Sequence, residues 1–235
     1  MRSEKDITNT LNKLVEALVV NSPFFHSWKP DLVEIAISKK FLVSFDSLVK
    51  SFPALIAAGA ARMTDEESRT VLAVNLYQEC GEGDITRTHH AIYRKFLATA
   101  GIEASNIKEN DFARDWRNRL SGYINQTGSV GEVIGALAAG EFLAQPALGR
   151  IYPMLKAHYP KADQEYFTKH LELETEHVRE ITGLISRQDG REVLSGFKFG
   201  LSVWETYFNQ LAEFIVEKES VVGSRCEQKS QWENS

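Results

Sequence analysis

The fold is decided by the stretch 163–190, which reads DQEYFTKHLELETEHVREITGLISRQDG. Its apolar residues, such as Phe167, Ile181 and Leu184, recur at spacings of three and four, which is the period of a helix with one buried face. The rest of the chain repeats this period, and no stretch alternates with the period of two that strands show. The sequence therefore predicts an all-α fold, a single bundle of about seven to nine helices.

Charge and cysteine content exclude several classes of function. The net charge is −5, from 27 Lys and Arg against 32 Asp and Glu, which argues against binding nucleic acid through its phosphates. Two cysteines in 235 residues exclude a disulfide framework and any Cys-based zinc or iron–sulfur site. Because neither a signal peptide nor a membrane span is recognisable, we expect a cytoplasmic location and no membrane partner. We expect one helical domain over residues 1–219 and a polar C-terminal tail over 220–235.

The opening stretch also carries polar side chains on its apolar face. At 100° per residue, His170, Glu174 and His177 fall within about 60° of each other on the stripe that should be buried. Glu172 and Glu176 point to the other side and are typical of a solvated face. A carboxylate between imidazoles in an apolar core is costly, and a metal ion would supply the compensating charge. The alternative is an ordinary exposed helix rich in Glu, since short His/Glu spacings also arise by chance.

Three further residues repeat this pattern on other helices. Glu141 is the only charged residue within 133–149 and lies on an apolar stripe, so it is either a metal ligand or a core carboxylate paired with a base. Glu79 lies on a buried stripe just before a Gly-Glu-Gly break, and His89 follows ten residues later. His90 points about 100° away from His89, so we prefer His89 as the ligand and place His90 beside the site or on the substrate side.

Three carboxylates and three imidazoles are too many for one catalytic ion with an open position. They suit two ions that share a carboxylate and keep positions free for O2 and substrate, and mixed O/N ligation without thiolate favours iron or manganese. A ferritin-like site would need two Glu-x-x-His motifs, and the chain has one. The candidate metal ligands are Glu79, His89, Glu141, His170, Glu174 and His177.

The set and its spacing resemble the haem-oxygenase-like di-metal oxidases. Their pattern is a Glu before a Gly-rich break, a His about ten residues later, a Glu in a central apolar helix, and His-x-x-x-Asp/Glu-x-x-His. Here the pattern covers residues 79–177, with Glu174 where Asp is commoner. The resemblance implies a haem-oxygenase-like fold and an oxidoreductase that uses two Fe(II) ions, with O2 as co-substrate. Some relatives carry one more carboxylate ligand on an earlier helix, where this chain offers only Asp46.

The resemblance also implies a role for each ligand. Glu79 would bridge the two ions. With few carboxylates, one iron is expected to bind more weakly and to load only with substrate. The remaining ligands would divide as His89 and His177 for one iron, and Glu141, His170 and Glu174 for the other.

Members of this family make terminal alkenes, N-oxygenated guanidines, p-aminobenzoate or nitriles. The p-aminobenzoate members consume a Tyr that precedes a Trp near the N-terminus, whereas this chain has Phe24-Phe25-His26-Ser27-Trp28, which counts against that reaction. The chain looks most like the cyanobacterial type that converts a brominated tryptophan to a nitrile with loss of the carboxyl carbon. The expected partners are an amino-acid-type substrate and an external electron donor, and a homodimer is a further expectation.

A pocket for an indole should be wide and apolar, with a basic group for the substrate carboxylate. Plain core packing is the alternative for each apolar residue. A metal-free enzyme like thiaminase II is a rival, but neither Cys80 nor Cys226 is placed as its nucleophile; a partner-binding protein is another. The candidate substrate-binding residues are Phe45, Lys50, Phe52, Pro53, Val74, His90 and Arg94.

Overall fold

The architecture was obtained as a computed structural model that describes residues 4–27, 33–103 and 109–229, with side chains over 6–26, 33–103, 109–172 and 176–215. Within these ranges the chain forms helices and no strand, which confirms the all-α prediction. The α-helices are α1 (Glu4–Asn21), α2 (Pro23–Ser27), α3 (Ile35–Arg62), α4 (Glu66–Glu79), α5 (His89–Thr99), α6 (Asp111–Gln126), α7 (Val130–His158), α8 (Glu165–Ile185) and α9 (Gly190–Lys229).

The helix α7 is the centre of the bundle. It packs most extensively on α9 and α8, and it also contacts α1, α3 and α6. Small residues allow the close approach of α7 and α9: a Cβ at Gly196 would lie 2.0 Å from the carbonyl oxygen of Glu132, and one at Gly200 would lie 2.8 Å from that of Ala136. Because the backbones meet almost directly, α7 is buried along the whole segment that carries Glu141.

The helix α3 forms a wall of the core beside α7. It packs on α4, α5, α6 and α9 as well, and its inward face is aromatic and aliphatic, with Phe41, Phe45 and Leu48 buried. In the described part of the chain it is the helix that is long and apolar enough to cross a membrane. That is weak support for a span, because 56% of its most apolar window is buried inside the fold and a core helix has the same composition.

The last helix runs past residue 219, the domain bound that the sequence predicts. The backbone of α9 continues to Lys229, past residue 219, where we expected the helical domain to end. Its polar sequence contains no proline after Gly190, so nothing in the chain forces the helix to stop earlier.

Candidate metal centre

Five of the six candidate ligands lie buried within the bundle, on four different helices. The exposed fraction is 6% for Glu79 at the end of α4, 1% for His89 on α5, 4% for Glu141 on α7, and 8% and 2% for His170 and His177 on α8. Polar side chains at this depth require partners. Packing of an apolar core does not explain why these five Glu and His side chains are buried.

The sixth candidate, Glu174, has its backbone in α8 between the two histidines, and its side chain lies outside the described residues. Its neighbours Glu172 and Glu176 are exposed, as the helical angles predict. The buried face of α8 is therefore the one that carries His170 and His177.

A tight turn brings Glu79 and His89 together. Residues 81–83 all have positive φ, and a Cβ at Gly81 (φ 73°) would lie 2.6 Å from the backbone of Arg87 and Thr88, so only glycine fits there. Thr88 then caps α5, since its hydroxyl accepts a hydrogen bond from a backbone N–H of the first turn. His89 is thus the first residue of α5 and is placed directly against the last residue of α4.

Glu79, His89 and His170 converge on one point. One potential ligand atom from each lies within 4.8 Å of the others. Nδ1 of His89 is 2.8 Å from Oε1 of Glu79, yet neither ring nitrogen of His89 is aligned with a hydrogen-bond partner. Nδ1 of His170 donates to the carbonyl of Tyr166 at 2.7 Å, which leaves its Nε2 with a free lone pair. These three residues form the first ligand group.

Glu141 and His177 form the second ligand group. Oε2 of Glu141 lies 3.4 Å from Nδ1 of His177. The opposite ring nitrogen, Nε2, donates to Oε1 of Gln78 at 3.0 Å. The other carboxylate oxygen of Glu141 accepts from Nδ2 of Asn75 at 3.3 Å. Each member of the second ligand group is therefore held by an amide from α4.

The structure groups the ligands differently from the division between two irons that the resemblance implied. His89 stands with His170, not with His177, and His177 stands with Glu141. Helical angles establish which side chains face inward. They do not establish which of two histidines, two turns apart on α8, meets α5 and which meets α7.

Burial controls the protonation of the first ligand group. It lowers the pKa of both His89 and His170 to about 3, with neighbouring positive groups adding to the effect. Burial also raises the pKa of Glu79, against the opposing charges of His170 and His177. Both imidazoles are consequently neutral at physiological pH and have lone pairs available for a metal ion.

His177 behaves in the opposite way. Burial acts to lower its pKa, but the hydrogen bond and the charge of Glu141 outweigh burial, and the pKa is raised. In the metal-free protein a proton can therefore sit between His177 and Glu141.

The residues fit metal ions in both ligand groups. Two ligand atoms about 2.1 Å from an ion and at right angles lie about 3.0 Å apart. The separations of 2.8 Å between Glu79 and His89 and of 3.4 Å between Glu141 and His177 are close to that value. The two nitrogens of the buried His89 ring make no aligned hydrogen bond, which also indicates a site for a metal ion. Carboxylate with imidazole is a donor set that iron accepts.

A cavity of about 80 Å³ adjoins the ligand groups. Glu79, Glu141 and His170 form its polar part. Tyr166 of α8 and apolar side chains of α3, α7 and α9, among them Ala147 and Trp204, form the rest. No Lys or Arg belongs to its described lining. The cavity is smaller than the roughly 300–1,000 Å³ of typical ligand sites, so a tryptophan-sized molecule would require it to widen.

Two of the predicted substrate-binding residues line this cavity. Phe45 and Phe52 lie on the face of α3 that points into it. Lys50, Pro53 and Val74 do not line it: Lys50 and Val74 are exposed, and Pro53 is only half-buried. The cavity positions on α3 recur at spacings of three and four from Phe45, and residues 50 and 53 fall off that face.

His90 and Arg94 both bind the carboxylate of Asp46, outside the cavity. Asp46 is 2% exposed; it accepts from Nε2 of His90 at 3.1 Å and from Nη2 of Arg94 at 2.6 Å, and Nε of Arg94 also contacts it. Burial acts to raise the pKa of Asp46, but the bonds and charges of His90 and Arg94 lower it. None of the three lines the cavity, so the structure places neither base against a substrate and assigns Asp46 to an ion pair.

Comparison with known proteins gives the class to which this fold and site belong. The model of a family described as iron-containing redox enzymes, of the haem-oxygenase type, matches residues 39–205. The chain belongs to this family. The matched region contains all six candidate ligands, whereas no curated protein sequence matches the chain significantly.

Solved structures show the same fold. A CADD-like protein of unknown function from Nostoc punctiforme has a TM-score of 0.78 at 16% identity, covering 91% of this chain and 99% of its own. A haem-oxygenase-like domain of unknown function from Shewanella denitrificans has a TM-score of 0.72 at 14% identity, covering 95% and 96%. A TenA homologue from Pyrococcus furiosus has a TM-score of 0.66 at 18% identity, covering 88% and 99%. At these identities the likeness establishes the fold alone.

Proposed function

We propose that this protein is a non-haem diiron oxidase that uses O2 to cleave an α-amino acid oxidatively, converting a tryptophan-type, halogenated substrate to the nitrile. The observation that carries the proposal is the convergence of buried Glu and His side chains from four helices beside an apolar cavity. Membership of a family of iron-containing redox enzymes supports it.

The chain contributes ligands, orientation and exclusion of water. The first ligand group (Glu79, His89, His170) and the second (Glu141, His177) would each hold one ferrous ion, with Glu79 available to both. When bound, the two ferrous ions supply the electrons with which O2 is activated. The apolar helices α3, α7 and α9 keep bulk water away from the substrate side of the centre.

The proposed reaction balances without a second reductant. An α-amino acid RCH(NH2)COOH and O2 give RCN, CO2 and two water molecules, because the substrate releases four electrons and four protons and O2 accepts them. Because the substrate supplies all four electrons, the external electron donor that we expect would serve only to reduce iron that has been oxidised outside the reaction.

The lining of the cavity suits an aromatic side chain, once the cavity widens, but it offers no cation for a carboxylate. No Lys or Arg lies in its described lining, so the attraction for an anionic group would come from the two divalent ions, whose charge exceeds that of three carboxylates. The apolar lining, including Phe45, Phe52 and Trp204, would receive the ring.

The proposal is tested by turnover of a defined panel. Protein loaded anaerobically with Fe(II) is exposed to O2 with tryptophan, 5-bromotryptophan, other aromatic amino acids and a saturated fatty acid, and products are identified by mass spectrometry. We expect a nitrile from a tryptophan-type substrate and none from protein carrying Glu141→Ala. Absence of any nitrile would contradict the proposal.

A second candidate within the same chemistry is oxidative decarboxylation of an apolar carboxylic acid to an alkene. The specific observation in its favour is the apolar cavity wall without a described cation, which suits an aliphatic chain. Turnover of the fatty acid in the panel, with no aromatic product, would select it.

A metal-free, thiaminase-like reaction finds less support, even though TenA homologues share the fold. Such chemistry needs a nucleophile in the cavity. Cys80 is exposed at the end of α4 and does not line it, and the side chain of Cys226 lies outside the described residues.

A further inference from the structure

The last turn of α4 carries two amide side chains in addition to Glu79. Asn75 is 5% exposed and Gln78 is half-buried. They lie four residues and one residue before Glu79, and each contacts a candidate ligand on a different helix. We propose that Asn75 and Gln78 are positioning residues that hold Glu141 and His177 in the arrangement the second iron requires, a role that rests on the two-iron function proposed above.

Gln78 determines which nitrogen of His177 can bind a metal. An amide oxygen only accepts hydrogen bonds, so the 3.0 Å contact requires that Nε2 of His177 carry the hydrogen. The lone pair of the neutral ring is then on Nδ1, which faces Oε2 of Glu141 at 3.4 Å. Two lone-pair-bearing atoms facing each other repel unless a cation lies between them. Gln78 therefore orients the ring so that this cation can be a metal ion.

Asn75 performs the same task for the carboxylate. Its Nδ2 donates to Oε1 of Glu141 at 3.3 Å, which holds that oxygen against α4 and leaves Oε2 facing His177. Oδ1 of Asn75 is buried without a hydrogen-bond partner, so this residue is retained at a cost in stability. A positioning role accounts for an amide at a place where an apolar side chain would fold more favourably.

The two contacts make α4 the helix that organises both ligand groups. It supplies Glu79 to the first ligand group directly, and through Asn75 and Gln78 it sets the second, whose members come from α7 and α8. Groups that hydrogen-bond to metal ligands in this way typically change metal affinity by about 10- to 100-fold when removed.

The test is an anaerobic calorimetric titration of the full-length protein with Fe(II) in the presence of 5-bromotryptophan, because one iron is expected to load only with substrate. His89→Ala and His177→Ala assign the binding events, since each removes a ligand from one group. For Gln78→Leu and for Asn75→Leu we expect the dissociation constant of the event lost in His177→Ala to rise by about 10- to 100-fold. The other event is expected to keep its wild-type affinity, and the melting temperature of the metal-free protein is expected to be no lower than that of wild type.

Two further variants separate positioning from simple packing. Gln78→Glu keeps an acceptor oxygen, so we expect it to retain the second iron where Gln78→Leu does not. Gln145→Leu removes an exposed glutamine one turn after Glu141 on α7 and is expected to change neither event.

The outcomes distinguish this inference from the proposed function. If wild-type protein binds two irons and Gln78→Leu and Asn75→Leu bind both as tightly, the inference is wrong and the proposed function stands. If these variants weaken both events equally, or lower the melting temperature of the metal-free protein, the amides serve packing and the inference is again wrong. If wild-type protein binds no iron, the proposed function itself fails.

Discussion

At the scale of the residue, His89 is the side chain whose surroundings most directly indicate a bound metal ion. It is 1% exposed, both of its ring nitrogens lack an aligned partner, and burial lowers its pKa to about 3. A buried polar atom left without a hydrogen bond costs about 1–3 kcal/mol. In a protein without metal, this histidine is therefore a liability to stability.

Replacing His89 with Leu tests that view. We expect the metal-free variant to melt no lower than wild type, because an imidazole whose nitrogens make no aligned hydrogen bond is exchanged for an apolar group of similar size. We also expect Fe(II) to stabilise the variant less than wild type. Thermal unfolding with and without anaerobic Fe(II) measures both. A large drop in the melting temperature of the metal-free variant would show that His89 has a structural role instead.

His170 predicts how the metal-free protein responds to acid. Its pKa is about 3 in the folded chain and 6.5 as the reference value, so below pH 6.5 the unfolded chain binds a proton that the folded chain does not. This histidine should therefore reduce stability by roughly 1 kcal/mol for each unit of pH below 6.5.

Glu79 acts in the opposite direction, because its pKa is raised by burial and protonation favours the folded chain. The contribution of His170 is accordingly measured as a difference between wild type and His170→Gln, by urea unfolding of both metal-free proteins at several pH values. We expect wild type to lose stability relative to the variant between pH 6.5 and 5.5. A difference that stays constant with pH would contradict the prediction.

The sequence was sufficient to predict which single residues face inward, but it did not indicate which side chains they contact. Glu141 could be recognised because it is the only charge in a long apolar run, and it is 4% exposed. Nothing in the sequence distinguished Gln78, since a glutamine at this position of α4 is typical of a solvent-exposed face. Only its contact with His177 indicates a role. Asp46 was recognised in the sequence as the carboxylate that an earlier helix offers, but its pairing with His90 and Arg94 depends on how α3 meets α5.

At the scale of the element, the turn between α4 and α5 sets the geometry of the first ligand group. Three successive residues with positive φ, 81–83, reverse the chain within a few residues, so that Glu79 and His89 end within 2.8 Å of each other. The Gly-Glu-Gly sequence predicted the break. The sequence did not indicate that Gly81 is pressed against the backbone of residues 87 and 88.

Gly81→Ala is expected to damage both the fold and the first ligand group. The new Cβ would meet the backbone of Arg87 and Thr88 at 2.6 Å, in addition to the cost of a positive φ of 73°. Gly101→Ala is the matched control, since Gly101 has a φ of 72° and open space around it.

For Gly101→Ala we expect a loss of about 1–2 kcal/mol in unfolding free energy, and for Gly81→Ala a larger loss together with weaker binding of one iron. Urea unfolding and Fe(II) titration measure the two effects. Equal losses for the two variants would show that the close contact at Gly81 is unimportant.

The apolar stripe of each helix explains which predicted substrate-binding residues line the cavity and which do not. A stripe gives the angle of each side chain about its own helix axis, and this was sufficient for Phe45 and Phe52. Lys50 and Val74 were candidates for substrate binding because of their side-chain chemistry and because their helices adjoin Glu79, and both are exposed. The division of His170 and His177 between two groups depends on the packing of α8 against α5 and α7, which a stripe does not encode.

At the scale of the whole molecule, the bundle encloses one apolar cavity beside the two ligand groups in the part that the structure describes. The family resemblance carried by the motifs over residues 79–177 anticipated this fold, and these motifs lie on α4, α5, α7 and α8. The size of the cavity was not predictable, since it depends on how closely α3, α7 and α9 approach.

Filling the cavity should separate substrate binding from metal binding. Ala147 lines the cavity and is 5% exposed, so Ala147→Phe would occupy the space that a substrate needs. We expect the variant to lose turnover in the amino-acid panel while keeping both iron-binding events, with overpacking costing about 1–3 kcal/mol. Ala57→Phe, on an exposed face of α3, is the control. Turnover by Ala147→Phe at the wild-type rate would place the substrate elsewhere.

The central claim is that two groups of buried residues, one of Glu79, His89 and His170 and the other containing Glu141 and His177, each hold an iron ion. Anaerobic titration of the wild-type protein with Fe(II) in the presence of 5-bromotryptophan, followed by calorimetry, tests it most directly, since one iron is expected to load only with substrate. The account predicts two binding events per chain of unequal affinity, one lost in His89→Ala and the other in His177→Ala. A single event under these conditions, no binding, or loss of both events in either variant would contradict it.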